Sequence, residues 1–158
     1  MSKRKRKTDP NIPAKKRLRE IADRLWSCAV RNDWANRCAV CGLRRCEAHH
    51  LIPRHNQATR YELRNGIALC ANHHQFNKDV SPHQNAAGWM QWLRDHHPTI
   101  EQWYTATVES GDHCRFSGTT NEPYYISVIR ELRQYVDIGD FERIAGLRFS
   151  RWLEDTDD

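Results

Sequence analysis

The sequence predicts an α+β fold in which two short strands, braced by a structural zinc knuckle, are flanked by helices on both sides. Two pairs of potential zinc ligands frame the centre of the chain, at Cys38 with Cys41 and at Cys70 with His73. Short apolar stretches typical of strands end near Pro53 and at Cys70. The segments before and after this region show helical periodicity instead. Together these three observations predict a small metal-supported core within a largely helical chain.

The length and composition exclude several classes of protein. With 158 residues, the chain can form one domain with a modest core, or two lobes. Its hydrophobic content is 39%, and no apolar run approaches the ~20 residues that a membrane span needs. The basic N-terminus is not followed by the apolar segment of a secretory signal. We therefore expect a soluble, cytoplasmic protein with no membrane partner.

The net charge of +5 is concentrated at the N-terminus. Residues 1–19 contain nine lysines and arginines and one acid, whereas the rest of the chain is net acidic. We expect residues 1–19 to form a disordered basic tail, because they bury too little apolar surface to fold alone. Such a tail can contact nucleic-acid phosphates; the alternatives are a solubilising tail and a nuclear-targeting signal. The predicted contacts are Lys3, Arg4, Lys5, Arg6 and Lys7.

The first predicted helix covers residues 18–34, where Leu18, Ile21 and Leu25 recur at helical spacing. A metal-binding knuckle follows at residues 38–42, in the stretch RCAVCG. Gly42 suits this knuckle, because such turns often need a residue with positive φ.

The cysteine spacing predicts a zinc site. Cys38 and Cys41 form a C-x2-C motif, and Cys70 and His73 form a C-x2-H motif. In a reducing compartment, such pairs favour metal binding over disulfides. Each pair presents two ligands on a tight turn, and two pairs complete a tetrahedral site. We predict that these four residues bind a structural Zn²⁺.

The remaining elements follow in order along the chain. The stretch CEAHHLIP predicts a strand that ends at Pro53, and NGIALC predicts a turn and a second strand. A polar, arginine-rich loop over residues 54–64 joins them, and a short helix begins in ANHHQFNKDV. Further helices are predicted over 82–95, where Pro82 opens the helix, and over 100–109, 123–136 and 140–153.

The stretch CAVCGLRRCEAHHLIPRHNQATRYELRNGIALCANHH, residues 38–74, resembles the HNH endonuclease family, whose core is the ββα-metal fold. The family pattern runs from C-x2-C to a His before Ile-Pro, then to Asn before a short apolar strand, and to C-x2-C-H. The chain departs from this pattern at His73, where most zinc-bearing members have a fourth cysteine. Because histidine also binds zinc, the departure affects the ligand set and not the fold.

The resemblance implies catalytic roles for four residues. It implies that His50 is the general base and that Asn65 orients it by tying down the loop between the strands. It also implies that His49 and His74 hold a catalytic divalent cation, which could be Mg²⁺, Mn²⁺, Ni²⁺ or Zn²⁺. Two alternatives stay open: His49 and His50 are polar surface residues, or His73 and His74 exchange roles between the two metals.

Arginines near the histidine pair suit a polyanionic substrate. Arg45 is predicted to contact the nucleic acid. Three further arginines are predicted to contact phosphate from the loop between the strands, and the alternative is a solvated loop: Arg54, Arg60 and Arg64. Glu47 lies where colicin-type nuclease domains have the Glu of E-x-H-H, which pairs with an arginine near the phosphate. Arg44 or Arg45 could be that partner, although the spacing is not matched. His83 and the remaining histidines show no ligand spacing.

The implied activity is metal-dependent hydrolysis of DNA phosphodiester bonds, with DNA as the partner and 5′-phosphate and 3′-hydroxyl ends as products. Small HNH proteins with basic tails are common in phages. The resemblance is therefore consistent with phage DNA recombination, packaging or host-DNA degradation in the host cytoplasm. The alternative is a non-catalytic zinc-dependent DNA-binding module. We expect the nuclease domain over residues 20–97 and a helical extension over 98–158; the oligomeric state is not predicted.

Overall fold

A computed structural model describes residues 10–156 of the chain. The five basic residues predicted to contact nucleic acid from the tail lie outside the described residues: Lys3, Arg4, Lys5, Arg6 and Lys7. None of the helices between residues 10 and 156 combines the length and apolar character needed to span a bilayer.

The fold is α+β, with one two-stranded sheet and helices on both sides of it in the sequence. Strands β1 and β2 are antiparallel, with Cys46 opposite Cys70 and His50 opposite Gly66. Short 3₁₀ turns lie at Leu63–Asn65 and Asp112–Cys114, and one wide π-type turn lies at Asn72–Phe76. The helices and strands are α1 (Lys15–Asp33), β1 (Cys46–His50), β2 (Gly66–Cys70), α2 (Ala86–His96), α3 (Pro98–Ser110), α4 (Glu122–Arg133), α5 (Ile138–Ala145) and α6 (Leu147–Asp155).

The chain divides into two compact units, and the boundary falls inside α1. One unit comprises Trp26–Gly118 and contains both strands, α2 and α3. The other comprises Met1–Leu25 and Thr119–Asp158, and contains α4, α5 and α6. The apolar residues buried in this second unit include Leu18, Ile21, Leu25, Ile129, Leu132, Phe141 and Leu153.

In the unit Trp26–Gly118, strand β2 lies directly against the C-terminal half of α1. A Cβ atom added to Gly66 would lie 2.3 Å from Cγ2 of Val30, so only glycine allows this approach. The indole Nε1 of Trp34 donates to the carbonyl of Gly66 at 3.3 Å. All five residues of β2 are buried, and Ile67 and Leu69 pack with Trp89 and Leu93 of α2.

Three sequence predictions need correction. Helix α1 begins at Lys15 and Leu18 is fully buried, so the last residues assigned to the tail are helical. Pro82 does not open α2, because Asn85 caps this helix by accepting a hydrogen bond from the backbone N–H of Gly88. The helix expected over 140–153 is two helices, α5 and α6, since Gly146 at φ 91° breaks the chain direction between them.

Candidate functional site

The four predicted zinc ligands converge on one point. Their ligand atoms all lie within 4.8 Å of one another: Cys38, Cys41, Cys70 and His73. The Sγ atoms of Cys41 and Cys70 are 3.8 Å apart, and Nδ1 of His73 is 3.3 Å from Sγ of Cys70. A tetrahedral ion with Zn–S bonds of about 2.3 Å separates two ligand sulfurs by about 3.8 Å. The donor set and its spacing therefore fit Zn²⁺, with Nδ1 as the nitrogen ligand.

The knuckle itself is a tight backbone turn. The N–H of Gly42 donates to the carbonyl of Cys38, and the N–H of Cys38 donates to the carbonyl of Leu43, both at 2.8 Å. Gly42 has φ 72°, which confirms the predicted positive value. Burial raises the pKa of Cys41 to about 11, and the nearby sulfurs of Cys38 and Cys70 add to the shift. A cation bound between these sulfurs would share the charge of the Cys41 thiolate and so favour that form.

Three imidazoles form a second cluster in the same unit. Nδ1 of His49, on β1, lies 3.1 Å from Nε2 of His74, on the turn after β2. The ligand nitrogens of His49, His74 and His83 lie within 4.8 Å of one another. Two nitrogens bound at about 2.0–2.1 Å to one cation are about 2.9–3.4 Å apart for inter-ligand angles of 90–110°. The spacing of His49 and His74 therefore fits a shared divalent cation.

His83, which shows no ligand spacing in the sequence, is brought into the cluster by the loop between the π-type turn and α2. The ring centroid of His83 lies 5.0 Å from that of His74 and 5.3 Å from that of His49. The fully buried Ser81 holds the loop: its hydroxyl donates to the carbonyl of His74 at 2.9 Å and accepts from the N–H of His83. The sequence shows the turn-forming residues of this loop, but no pattern in it predicts that the loop returns to His49 and His74.

Burial is the main cause that lowers the pKa of His49, to about 3, and the neighbouring imidazoles of His74, His83 and His50 contribute. At neutral pH the His49 ring is therefore uncharged. A neutral imidazole is the form that binds a cation. This cluster, called the histidine cluster below, consists of His49, His74 and His83.

Glu47 contacts the histidine cluster directly. Its Oε2 lies 3.1 Å from Nδ1 of His74. Within residues 10–156, Glu47 pairs with this imidazole, where the sequence analysis expected Arg44 or Arg45. A carboxylate only accepts hydrogen bonds, so Nδ1 of His74 carries the proton and Nε2 faces His49.

A stacking contact and a hydrogen bond hold the ring of His50. Its ring stacks on the indole of Trp26, with centroids 3.6 Å apart and planes within 11° of parallel. Its Nε2 lies 2.9 Å from the backbone carbonyl of Arg60. Because a carbonyl only accepts, Nε2 carries the proton, and the lone pair of the neutral ring is on Nδ1. Trp26 is fixed in turn by its own Nε1, which donates to the carbonyl of Glu62.

Asn65 is fully buried and holds together the loop between the strands. Its Oδ1 accepts from the N–H of Ile52 at 2.7 Å. Its Nδ2 donates to the carbonyls of Ile52 and Thr59, both at 3.0 Å. The loop fixed in this way carries the Arg60 carbonyl that receives the proton of His50.

The four predicted arginine contacts differ in their surroundings. Arg60 is only 8% exposed and donates from Nη1 to the carbonyl of Arg54 at 2.7 Å, so it braces the loop rather than facing a phosphate. Arg64 pairs with Glu62, and its guanidinium lies over the ring of Trp103. The side chains of Arg45 and Arg54 are exposed.

Comparison with known families gives one match: residues 38–76 fit the family model described as HNH endonuclease. Neither the curated proteins nor the solved structures gave a match for this chain. The matched segment is similar to HNH endonuclease domains, and its two strands and the following turn are consistent with the ββα-metal fold of that family. HNH domains bind metal and act on DNA, so the match suggests nuclease activity. It ends before His83.

Proposed function

We propose that this chain is a metal-dependent DNA endonuclease in which His50 activates the attacking water. The observation that carries the proposal is the pair of neighbouring histidines. His50 is held by its Nε2 contact with the carbonyl of Arg60 and by stacking on Trp26, while His49 belongs to a cluster with the spacing of a cation site. Phosphodiester hydrolysis needs both an activated water and positive charge near the phosphate.

His50 is suited to be a general base by its hydrogen bond and by its stacking. The carbonyl of Arg60 holds the proton on Nε2, so Nδ1 can take a proton from water. The same carbonyl then stabilises the charged ring, because Nε2–H remains its donor. Stacking on Trp26 fixes the ring plane, which keeps the base aligned with the water. Asn65 supports this arrangement through the loop.

The histidine cluster provides the cation site. A divalent cation bound there supplies positive charge to the phosphate and to the leaving 3′ oxygen. Imidazole donors suit Mn²⁺, Ni²⁺ and Zn²⁺ better than Mg²⁺, which prefers oxygen ligands. Three neutral ligands also leave the charge of the ion uncompensated, which favours an anionic substrate.

The substrate is DNA, and hydrolysis leaves 5′-phosphate and 3′-hydroxyl ends. The exposed Arg45 and Arg54, together with the basic residues 3–7, contact the DNA backbone within this proposal. Arg64 joins them on giving up its pairing with Glu62. Within this proposal, the activity serves DNA recombination, packaging or host-DNA degradation in the cytoplasm of a phage host, which is the setting expected for a small HNH protein with a basic tail.

A non-catalytic zinc-dependent DNA-binding module is the second candidate. The zinc site and the basic tail support it equally well. It does not account for the histidine cluster or for the fixed ring of His50, which a binding module does not need. The two candidates differ in whether a second cation changes the DNA covalently.

Supercoiled plasmid distinguishes them. Zinc-loaded protein is incubated with plasmid in cation-free buffer and with Mn²⁺, Ni²⁺ or Mg²⁺ added. His49→Ala is compared with the control His96→Ala, which alters a histidine at the exposed end of α2. We expect cation-dependent nicking by the wild type and by His96→Ala, and none by His49→Ala. DNA binding without nicking under any cation would support the binding module instead.

A further inference from the structure

We infer that Glu47 is a positioning residue that aims Nε2 of His74 at the cation and strengthens its binding. The inference rests on the proposed cation site. It adds to that site a residue that binds neither the cation nor the DNA, and it assigns a role to a glutamate whose expected arginine partner is not the one it contacts.

The strand geometry explains why Glu47 and His49 reach the same imidazole. Residues two apart on a strand point to the same face, so both side chains of β1 project towards the turn that carries His74. Glu47 contacts one ring nitrogen of His74 and His49 lies beside the other, each at 3.1 Å. Glu47 and His49, two residues apart on β1, therefore contact the two ring nitrogens of His74.

The hydrogen bond fixes which nitrogen of His74 binds a cation. A neutral imidazole has one protonated nitrogen, and in water the proton prefers Nε2. The carboxylate of Glu47 reverses this preference by accepting from Nδ1–H, which leaves the lone pair on Nε2 beside His49. Without Glu47, the free energy needed to change the tautomer of His74 would reduce the affinity for the cation.

The carboxylate also contributes charge. The imidazoles of the histidine cluster bind as neutral ligands, so they do not offset the charge of the cation. Glu47 places one negative charge behind His74, and a carboxylate hydrogen-bonded to a ligand imidazole raises the basicity of that ligand. The side chain of Glu47 is 65% exposed, whereas that of His74 is 15% exposed, so removing the carboxylate leaves the core undisturbed.

Two substitutions separate the hydrogen bond from the charge. Glu47→Ala removes both, whereas Glu47→Gln keeps an amide oxygen that can accept from Nδ1–H. Glu109→Gln is the matched control, since it neutralises an exposed glutamate near the end of α3 in the same compact unit.

The cation probe is Ni²⁺, titrated by calorimetry into zinc-loaded protein, with His49→Ala identifying the heat that belongs to the histidine cluster. We expect Glu47→Ala to weaken Ni²⁺ binding about 10–100-fold and Glu47→Gln to weaken it less. Glu109→Gln should bind as the wild type does. Equal Ni²⁺ affinity in the wild type, Glu47→Gln and Glu47→Ala would overturn the inference.

The tautomer of His74 gives a readout that a merely structural role does not change. Long-range ¹⁵N–¹H spectra of the nickel-free, zinc-loaded protein should show the proton of His74 on Nδ1 in the wild type and in Glu47→Gln. In Glu47→Ala it should shift towards Nε2. An unchanged Nδ1–H signal in Glu47→Ala would contradict the positioning role.

The inference and the proposed function fail in different ways. Weakened Ni²⁺ binding in Glu47→Ala, in a protein whose wild type never nicks plasmid, supports the positioning role and removes the nuclease proposal. Normal nicking by the wild type, with equal Ni²⁺ affinity in all Glu47 variants, removes only the positioning role.

Discussion

The zinc site and the histidine cluster lie in the same short segment, yet they differ in every property that decides what a bound metal does. The zinc site has three sulfurs and one nitrogen, and Cys38 and Cys70 are almost fully buried. The histidine cluster has three imidazoles, one of which, His83, is exposed. A closed set of four ligands is typical of structural zinc, whereas three ligands with an open side are typical of a catalytic metal.

The neighbouring residues His73 and His74 belong to different sites. His73 contributes Nδ1 to the zinc ligands, and His74 contributes Nε2 to the histidine cluster. The wide turn Asn72–Phe76 carries both. An ion bound by His73 would therefore stabilise the same turn that presents His74 to the histidine cluster. Loss of the zinc should therefore disrupt both the zinc site and the histidine cluster. Loss of the second cation should leave the zinc site intact.

The largest effect is expected from Cys70→Ser. Structural zinc contributes about 10–16 kcal/mol of apparent binding free energy in small zinc domains, so losing a thiolate ligand should unfold the region around the hairpin. We expect loss of bound zinc, loss of the cooperative thermal transition of this unit and loss of Ni²⁺ binding. The control Cys114→Ser alters an exposed cysteine outside the zinc site and should change none of these. Retained zinc with unchanged melting would contradict the zinc assignment.

Asn65→Ala should destabilise the protein by about 2–4 kcal/mol, because three hydrogen bonds of a fully buried amide are lost and their partners are left unpaired. Zinc content should be retained, since Asn65 is not a ligand. Denaturant unfolding followed by zinc analysis measures both. Asn56→Ala, which changes a partly exposed amide of the same loop, should cost less. An equal loss of unfolding free energy in both variants would contradict the role of Asn65 in holding the loop.

His83→Ala tests whether the histidine cluster has three members. We expect Ni²⁺ affinity to fall about 10–100-fold, with zinc content and thermal stability unchanged, because His83 is exposed and distinct from the zinc ligands. Calorimetry on zinc-loaded protein provides the measurement. Unchanged affinity would reduce the cation site to His49 and His74.

The smallest effect concerns the tail. Because α1 begins at Lys15, the informative deletion is residues 2–9, which removes five lysines and arginines but leaves the helix intact. The slope of log affinity for DNA against log salt should become shallower by at most about 4.5, since each phosphate contact contributes about 0.9. The cleavage rate at saturating protein should stay the same. An unaltered slope would make the tail a solubilising segment.

The sequence predicted which four side chains come together, because their spacing is local: the two members of each pair are three residues apart, and Gly42 supplies a turn. It missed His83, because the fold of the preceding loop depends on Ser81 reaching the carbonyl of His74. It also predicted that Arg60 contacts phosphate, although this side chain is buried. Both errors concern side chains that bond to backbone carbonyls elsewhere in the chain, and such contacts leave no periodic pattern in the sequence.

The helical elements show the same limit. The apolar periodicity of Leu18, Ile21 and Leu25 correctly predicted α1, because a buried face repeats every turn. The break between α5 and α6 was missed, since the apolar pattern continues through Gly146. Gly146, which has φ 91°, directly follows α5 and ends that helix.

The most direct test of the account is the single-turnover rate of DNA cleavage by His50→Ala, measured with zinc-loaded protein in excess over DNA and with saturating Mn²⁺. His55→Ala, an exposed histidine of the adjacent loop, serves as the control. We expect a rate about 10²–10⁴-fold below the wild type for His50→Ala, in a protein that stays folded and keeps its zinc content and Ni²⁺ affinity. A folded, zinc-loaded His50→Ala that cleaves as fast as His55→Ala would show that another group activates the water.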